Sequence, residues 1–551
     1  MSQKGCPAKQ RTTPKLTVLD AATQNPEDVL EQLPDFKGLG PHCIRNVVIL
    51  VTPSIAPVLA RKDFLQSIIT RIYASFEKHA LPEFWLKKKG IEIKSLSAVV
   101  DALPFRETAA AQQLESEGLS ILFSSGSVFS EPGFPTPAGD DDTSYTLTFT
   151  SAYHSVDPGI PSQEINPSPV RYLTLPVANT FFVNGSRATL FQDTWKVDLS
   201  SGGSVNGRGL VNVASLVSHE RRQHLQRATI AGNFHSNDLT QCVLPLTPLT
   251  ESREITKAMG NVVTEIQLPE RKAPASAELE SSVSKYLRDN PDATAAGPLL
   301  IYASIRPPRS ANAGTYETPP QDYLRTLNFL DTFEECTRLF RVTGGGGGWG
   351  KKQGLLSLDP AVDFDSHSTT DSNFPDIGED VDDVSQLYEP KGMMPVGSSI
   401  RFWVWDHKDK NKKNGIIKEN VTDHFPDLDP EQEKQSPDRV WSGQDNMHFV
   451  FGTGSRAEER EGTEGQGAVV SNKSRITHQC LYGYFGMLSY GGAAIGSAEE
   501  IFPEVTYTSR PSWHRLWAGA RSRVDVPNTT FVLDVDSGYF EKSFPAEGVV
   551  E

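Results

Sequence analysis

Arg45-Asn46-Val47-Val48-Ile49-Leu50-Val51-Thr52, closed by Pro53, is a continuous apolar run of strand length. A strand covered on both faces shows no polar side, so it reads as an unbroken block rather than an alternation. Downstream, Phe64, Leu65, Ile68, Ile69, Ile72, Tyr73 and Phe76 recur at helical spacing and lay one apolar stripe along an amphipathic helix. Strand, short turn and long helix are the opening of an α/β unit. Residues 91–103 and 118–123 supply further short strands.

Beyond a Ser/Gly/Pro/Asp-rich loop at 125–142, Tyr145, Leu147 and Phe149 alternate with threonines, the pattern of a half-exposed strand. Residues 172–183 and 188–195 flank Asn184-Gly185, which predicts a tight hairpin. The stretch from 143 to 215 therefore reads as β-rich. Helical periodicity returns at 215–229 and at 252–266, the second striped by Ile255, Met259, Val262, Val263 and Ile266. A further helix is expected at 276–288 through Leu279, Val283, Tyr286 and Leu287. A long one follows at 323–341, with Leu324, Leu327, Leu330, Phe333, Leu339 and Phe340 facing a core. Strands are expected at 299–305, 397–406, 448–452 and 531–535, and residues 480–496 mix aromatics with small residues in a buried, closely packed segment.

Polar inserts fill 407–438 and 454–474. Residues 359–389 hold ten acidic residues and no Lys or Arg, as in an exposed loop. The expected fold class is a mixed α/β or α+β protein: a sheet packed by several helices, a β-rich middle region and long polar loop insertions. The expected organisation is a disordered or extended tail at 1–40, an α/β region with a β-hairpin at 41–230, and an α/β region at 231–551. That last region carries the glycine-rich loop and the acidic insertions; one composite unit is the alternative for the two.

The net charge of -16 bears on partners. A protein that grips nucleic acid non-specifically needs a basic surface to displace counterions, so nucleic acid is not the expected partner. Cys6, Cys43, Cys242, Cys336 and Cys480 lie far apart with no Cys-x-x-Cys pair, which suits free thiols in a reducing compartment. No apolar run reaches the ~20 residues that span a bilayer. Lys4, Lys9, Arg11 and Lys15 precede the first acidic residue, Asp20, as in an organelle transit peptide, but Pro7 and Pro14 break any helix there. The expectation is an intracellular, cytoplasmic protein, with mitochondrial import as the alternative.

The chemistry concentrates in Gly344, Gly345, Gly346, Gly347, Gly348, Trp349, Gly350, Lys351 and Lys352. Backbone without Cβ atoms can approach a bound group closely, and a large aromatic ring and two cations stand beside it. Gly345, Gly350 and Lys351 fit the phosphate-binding pattern G-x-x-x-x-G-K-[ST], but Lys352 occupies the place of the metal-binding hydroxyl. The segment before it reads as helix, and Pro360 cuts short any helix after it. A looser anion cradle survives those departures; a glycine hinge is the plain alternative.

His219 and His224 flank Glu220-Arg221-Arg222-Gln223, and on a helix their spacing of five turns them away from a shared metal. His407 and His424 sit in polar loops without a matching second motif, and Asp363-x-Asp365 lacks the glycine and glutamate of a calcium loop. No Gly-x-Ser-x-Gly elbow is present. Trp403 and Trp405 point the same way on one strand, as core or as a stacking platform. The expected function is a soluble intracellular binding or accessory protein that uses the glycine-rich loop as its recognition surface. Its partner would be an anionic or phosphorylated small molecule, or a protein. The alternative is an enzyme acting on such an anion, with Lys351 or Lys352 stabilising charge. No cofactor or metal follows from these motifs.

Overall fold

In the computed structural model the described residues are 15–18, 46–72, 75–77, 91–106, 113–124, 144–151, 170–197, 210–212, 217–232, 240–294, 297–306, 338–345, 354–359, 364, 396–405, 447–454, 479–482, 484–498 and 521–535. Seven strands form the first sheet. In chain order they are β1 (Lys15–Val18), β2 (Asn46–Val51), β3 (Ile91–Val99), β4 (Leu119–Ser124), β5 (Leu190–Val197), β6 (Val217–His224) and, far downstream, Gln479–Tyr482. In space they run β6-β5-β3-β2-β4-β1 and then Gln479–Tyr482. β2 and β3 are parallel, connected through α1 (Ala56–Leu59) and α2 (Lys62–Ile72). The other neighbours in this sheet are antiparallel.

β2 is buried along its whole length, which is why its sequence shows no alternation. Val47, Ile49 and Val51 face α2, while Val48 and Leu50 enter a second core on the opposite face. Thr52 ends the strand by donating its N–H to the Gly118 carbonyl at 3.1 Å, and the Gly118 N–H donates to Thr52 Oγ1 at 2.9 Å. α2 buries Phe64, Leu65, Ile68, Ile69 and Ile72, with Asp63 in its first turn and Arg71 in its last, the charge order its dipole favours.

The opposite face of the first sheet is covered by strands. One set, in spatial order, is Arg227–Gly232, Thr146–Ser151, Val170–Pro176, Ala493–Ala498 and Arg521–Val524. The other is Thr240–Val243, Thr530–Val535, Met447–Thr453 and Tyr484–Ser489. Phe149, Leu173, Ile230, Phe451, Phe485 and Ile495 share one core with Val48, Leu50 and Leu96. Phe149 and Phe451 meet with ring centroids 4.2 Å apart. This overturns the expected sheet packed by several helices: the protein is strand-rich, and its four α-helices among the described residues are short.

A third large sheet contains a closed six-stranded barrel. Its strands are β7 (Arg253–Met259), β8 (Val262–Gln267), β9 (Ile301–Arg306), β10 (Arg338–Gly345), β11 (Leu356–Leu358) and β12 (Ser399–Trp405). Antiparallel pairing runs β7-β8-β11-β10-β9-β12 and returns to β7. A barrel this narrow holds only side chains. Ile255, Val263, Ile266, Ile305, Phe340, Leu356, Ile400 and Phe402 fill it, joined by Ala275 and Leu279 of α3 (Ala275–Asp289). Tyr302, Leu339 and Trp403 belong instead to the large core, so the barrel wall separates two hydrophobic compartments.

The helix expected over 252–266 is the hairpin β7–β8. Gly260, at φ 58°, opens its two-residue turn, and register shifts on either side of Lys257 break the strand alternation. Those bulges move Ile255, Val263 and Ile266 onto one buried face at intervals that mimic a helix. The helix expected over 215–229 is likewise two strands, β6 and Arg227–Gly232, that enter different sheets. Of the helix expected over 323–341, residues 338–341 are barrel strand, and the remainder lies outside the described residues. The expected hairpin around Asn184-Gly185 does not form. Val170–Pro176 and β5 lie in different sheets, and Gly185, at φ 77°, caps the single helical turn Phe181–Asn184.

Candidate functional site

The glycine-rich segment is the connection between β10 and β11, neighbouring strands of the closed barrel. Gly344 pairs with Ser357 and Gly345 with Leu356, after a bulge between Val342 and Gly344. A Cβ on Gly345 would lie 2.6 Å from Leu356 Cδ1, the end of a side chain that would have to turn aside. Gly344 meets nothing within 4 Å of that position. At the returning end Gly354 adopts φ 91°, with its missing Cβ site 3.1 Å from Pro274 Cβ. Gly354 is thus demanded by its backbone conformation, Gly345 fits against Leu356, and Leu356 anchors the stem in the barrel core. Gly346, Gly347, Gly348, Trp349, Gly350, Lys351 and Lys352 lie outside the described residues, as do His407, His424 and Asp365.

His219 and His224 sit on β6, at the edge of the first sheet, and not on a helix. The register shift at Thr194/Trp195 places His219 opposite Trp195 and His224 opposite Phe191, so both face α2 despite their odd spacing. Asp193 projects between them. It is fully buried and accepts Arg222 Nε and Arg222 NH2 at 2.9 Å each, while His219 Nε2 lies 2.8 Å from Asp193 Oδ1. Arg222 also donates to the Ala60 carbonyl at 2.7 Å and lies over the Phe191 ring. Each guanidinium nitrogen makes a hydrogen bond, and the one to Ala60 ties the end of α1 to the sheet edge. The sequence reading does not single out Asp193; its signal is a carboxylate on the same strand parity as Phe191 and Trp195, where an apolar residue is expected. No group of three metal-ligating side chains occurs among the described residues.

Trp403 is buried, with its indole N–H on Ser304 Oγ at 2.9 Å, and Trp405 donates to the Pro527 carbonyl at 3.1 Å. Both rings are core rather than a stacking platform. Cys242 is a free thiol, and burial pushes its pKa well above the ordinary value, which leaves it unreactive.

The barrel is fastened to the strand layer by Tyr302 OH on the Asp525 carbonyl, Leu339 N–H on Ser522 Oγ, and Arg341 at 3.6 Å from Asp525 Oδ2. Burial raises the Asp525 pKa despite the nearby Arg341 and Arg523. A carboxyl that is easier to protonate in the fold costs stability when ionised. That cost is full above its folded pKa and disappears below its unfolded one. Asp525→Asn should therefore melt above the parent at neutral pH, and the gap should close on acidification. A variant less stable than the parent at neutral pH would show that Arg341 outweighs burial, and a gap independent of pH would show that the two cancel.

No helix among the described residues is long and apolar enough to cross a membrane. No family model matches the chain, and no match is found among curated proteins or solved structures.

Proposed function

We propose that the chain is a soluble, intracellular binding or accessory protein whose recognition surface is the glycine-rich connection at residues 344–352. The supporting observation is the stem: a connection whose two ends are pinned by Gly345 against Leu356 and by Gly354 against Pro274. A barrel filled by side chains offers no internal site, so recognition falls to its connections. Between the pinned ends the sequence places glycines, Trp349 and the Lys351-Lys352 pair. Amide groups and cations there suit an anionic or phosphorylated ligand.

The test is a thermal-shift screen of inorganic phosphate, nucleotides and phosphorylated metabolites at millimolar concentration, where an occupied site raises stability by mass action. A stabilising anion is expected. Its effect should vanish in Lys351→Gln/Lys352→Gln and in Gly346→Ala/Gly347→Ala, with the ligand-free melting temperature nearly unchanged in both. No shift with any anion would remove this reading. Turnover of the bound anion, lost with either lysine, would convert it into the enzyme reading.

A further inference from the structure

Asn184-Gly185 is one of three Asn-Gly pairs in the sequence, and it ends the single turn Phe181–Asn184 rather than turning a hairpin. An asparagine before glycine is chemically labile. The glycine peptide nitrogen can attack the asparagine side-chain carbonyl carbon, because no Cβ stands in the way. Gly185 is exposed at φ 77°, and a Cβ on it would meet nothing within 4 Å, so solvent reaches this residue.

Each group that would react is nevertheless held by a bond. The attacking nitrogen, Gly185 N–H, donates to the Phe181 carbonyl at 3.0 Å and closes the turn. The departing nitrogen, Asn184 Nδ2, donates to Thr189 Oγ1 at 2.7 Å. Asn184 Oδ1 accepts the Ser186 N–H at 3.1 Å, which fixes the side chain in an Asx turn. Behind it Thr180 and Thr189 are both buried. Thr180 Oγ1 gives its hydrogen to the Ser186 carbonyl at 2.8 Å, so Thr189 is the donor in the 2.9 Å contact between the two hydroxyls. Thr189 Oγ1 can then only accept from residue 184.

We infer that Asn184 is a site of spontaneous deamidation that the folded turn keeps latched, and that the product undoes the latch. When the turn opens, Gly185 N gives its proton to a solvent base and bonds to Asn184 Cγ. The Cγ–Nδ2 bond breaks, and Nδ2 leaves as ammonia after taking up a proton from the solvent. Water then opens the cyclic imide at either carbonyl and leaves Asp or isoaspartate at 184. Either product carries a carboxylate in place of the amide, so acceptor faces acceptor at Thr189 Oγ1 and the buried hydroxyl loses its donor. The turn that displays Phe181 and Phe182, 54% and 96% exposed, loses that anchor.

The test incubates the full chain at mildly alkaline pH, in buffer and in guanidinium chloride, and reads conversion by peptide mass spectrometry with isoaspartate methylation. Asn206-Gly207 and Asn414-Gly415, outside the described residues, give the rate of an unprotected pair in denaturant. Asn184 should match them there. In buffer it should convert roughly tenfold more slowly or slower still, since only the opened turn reacts. Thr189→Val should speed the reaction in buffer about fivefold, the effect of one lost hydrogen bond, and leave the rate in denaturant unchanged. Should that buried change unfold the protein, Asn184→Asp carries the test, with faster hydrogen exchange expected at Gly185 N–H. Equal rates in buffer and denaturant, a buffer rate untouched in folded Thr189→Val, or exchange in Asn184→Asp as slow as in the parent would overturn the proposal.

Discussion

Alanine in place of Asp193 is expected to cost about 3–5 kcal/mol, the usual penalty for stranding a buried charge. Asp193 is fully buried and accepts from Nε and NH2 of Arg222, with His219 beside it. Without it the Arg222 guanidinium stays wedged between Phe191 and the Ala60 carbonyl with its charge uncompensated. The penalty measures the abandoned partner, not the net worth of the pair. A double replacement, Asp193→Leu with Arg222→Met, should therefore recover most of the loss, because similar apolar volumes substitute well for buried ion pairs. Urea unfolding of the two variants provides the comparison. An Asp193→Ala variant that loses less than about 1 kcal/mol would mean that water reaches this cluster and that the clamp on α1 is weak.

Gly486→Ala should be at least as damaging, beyond about 4 kcal/mol, a size reserved for a specific steric or electrostatic fault. Gly486 pairs with Val450 across the parallel strands Tyr484–Ser489 and Met447–Thr453. A Cβ there would run into the Val450 carbonyl oxygen and would lie 2.8 Å from Pro104 Cγ. The obstacle is backbone, so no rotamer change relieves it. Retreat of the strand would open the contacts of Phe485 with Phe149, Phe449 and Phe451. Gly344→Ala is the matched control, since nothing lies within 4 Å of its Cβ position. Equal midpoints for the two variants in urea would contradict the register that brings Gly486 onto Val450.

The candidate recognition segment and the Asp193 cluster were legible to different degrees. Five consecutive glycines beside Trp349 and two lysines stand out in any sequence. That Gly345 and Gly354 pin a barrel hairpin does not, because the atoms they sit against belong to Leu356 and Pro274. His219 and His224 were rejected as a metal pair on helical spacing. The strand they occupy gives another reason: they stand opposite Trp195 and Phe191, four residues apart on β5, with Arg222 between them. Asn184-Gly185 was visible as a dipeptide, but the bonds that restrain it come from the Phe181 carbonyl and Thr189 Oγ1.

Local pattern by itself determined β2, α2 and α3. Each is one regular element whose buried face repeats at a single period: continuous in β2, helical through Phe64, Leu65, Ile68 and Ile69, and again from Leu279. Only the tertiary structure decided the barrel, which closes where β9 meets β12 across the chain from residues 301–306 to 399–405. No local period encodes that pairing. Phe340 points into the barrel core and Leu339 into the large core, so β10 carries apolar residues on both faces and shows no alternation. In β7 and β6 the bulges shift face parity by one residue, and a bulge is a property of two paired strands. Side-chain periodicity reports which face is buried, but the partner strand decides which residues lie on that face.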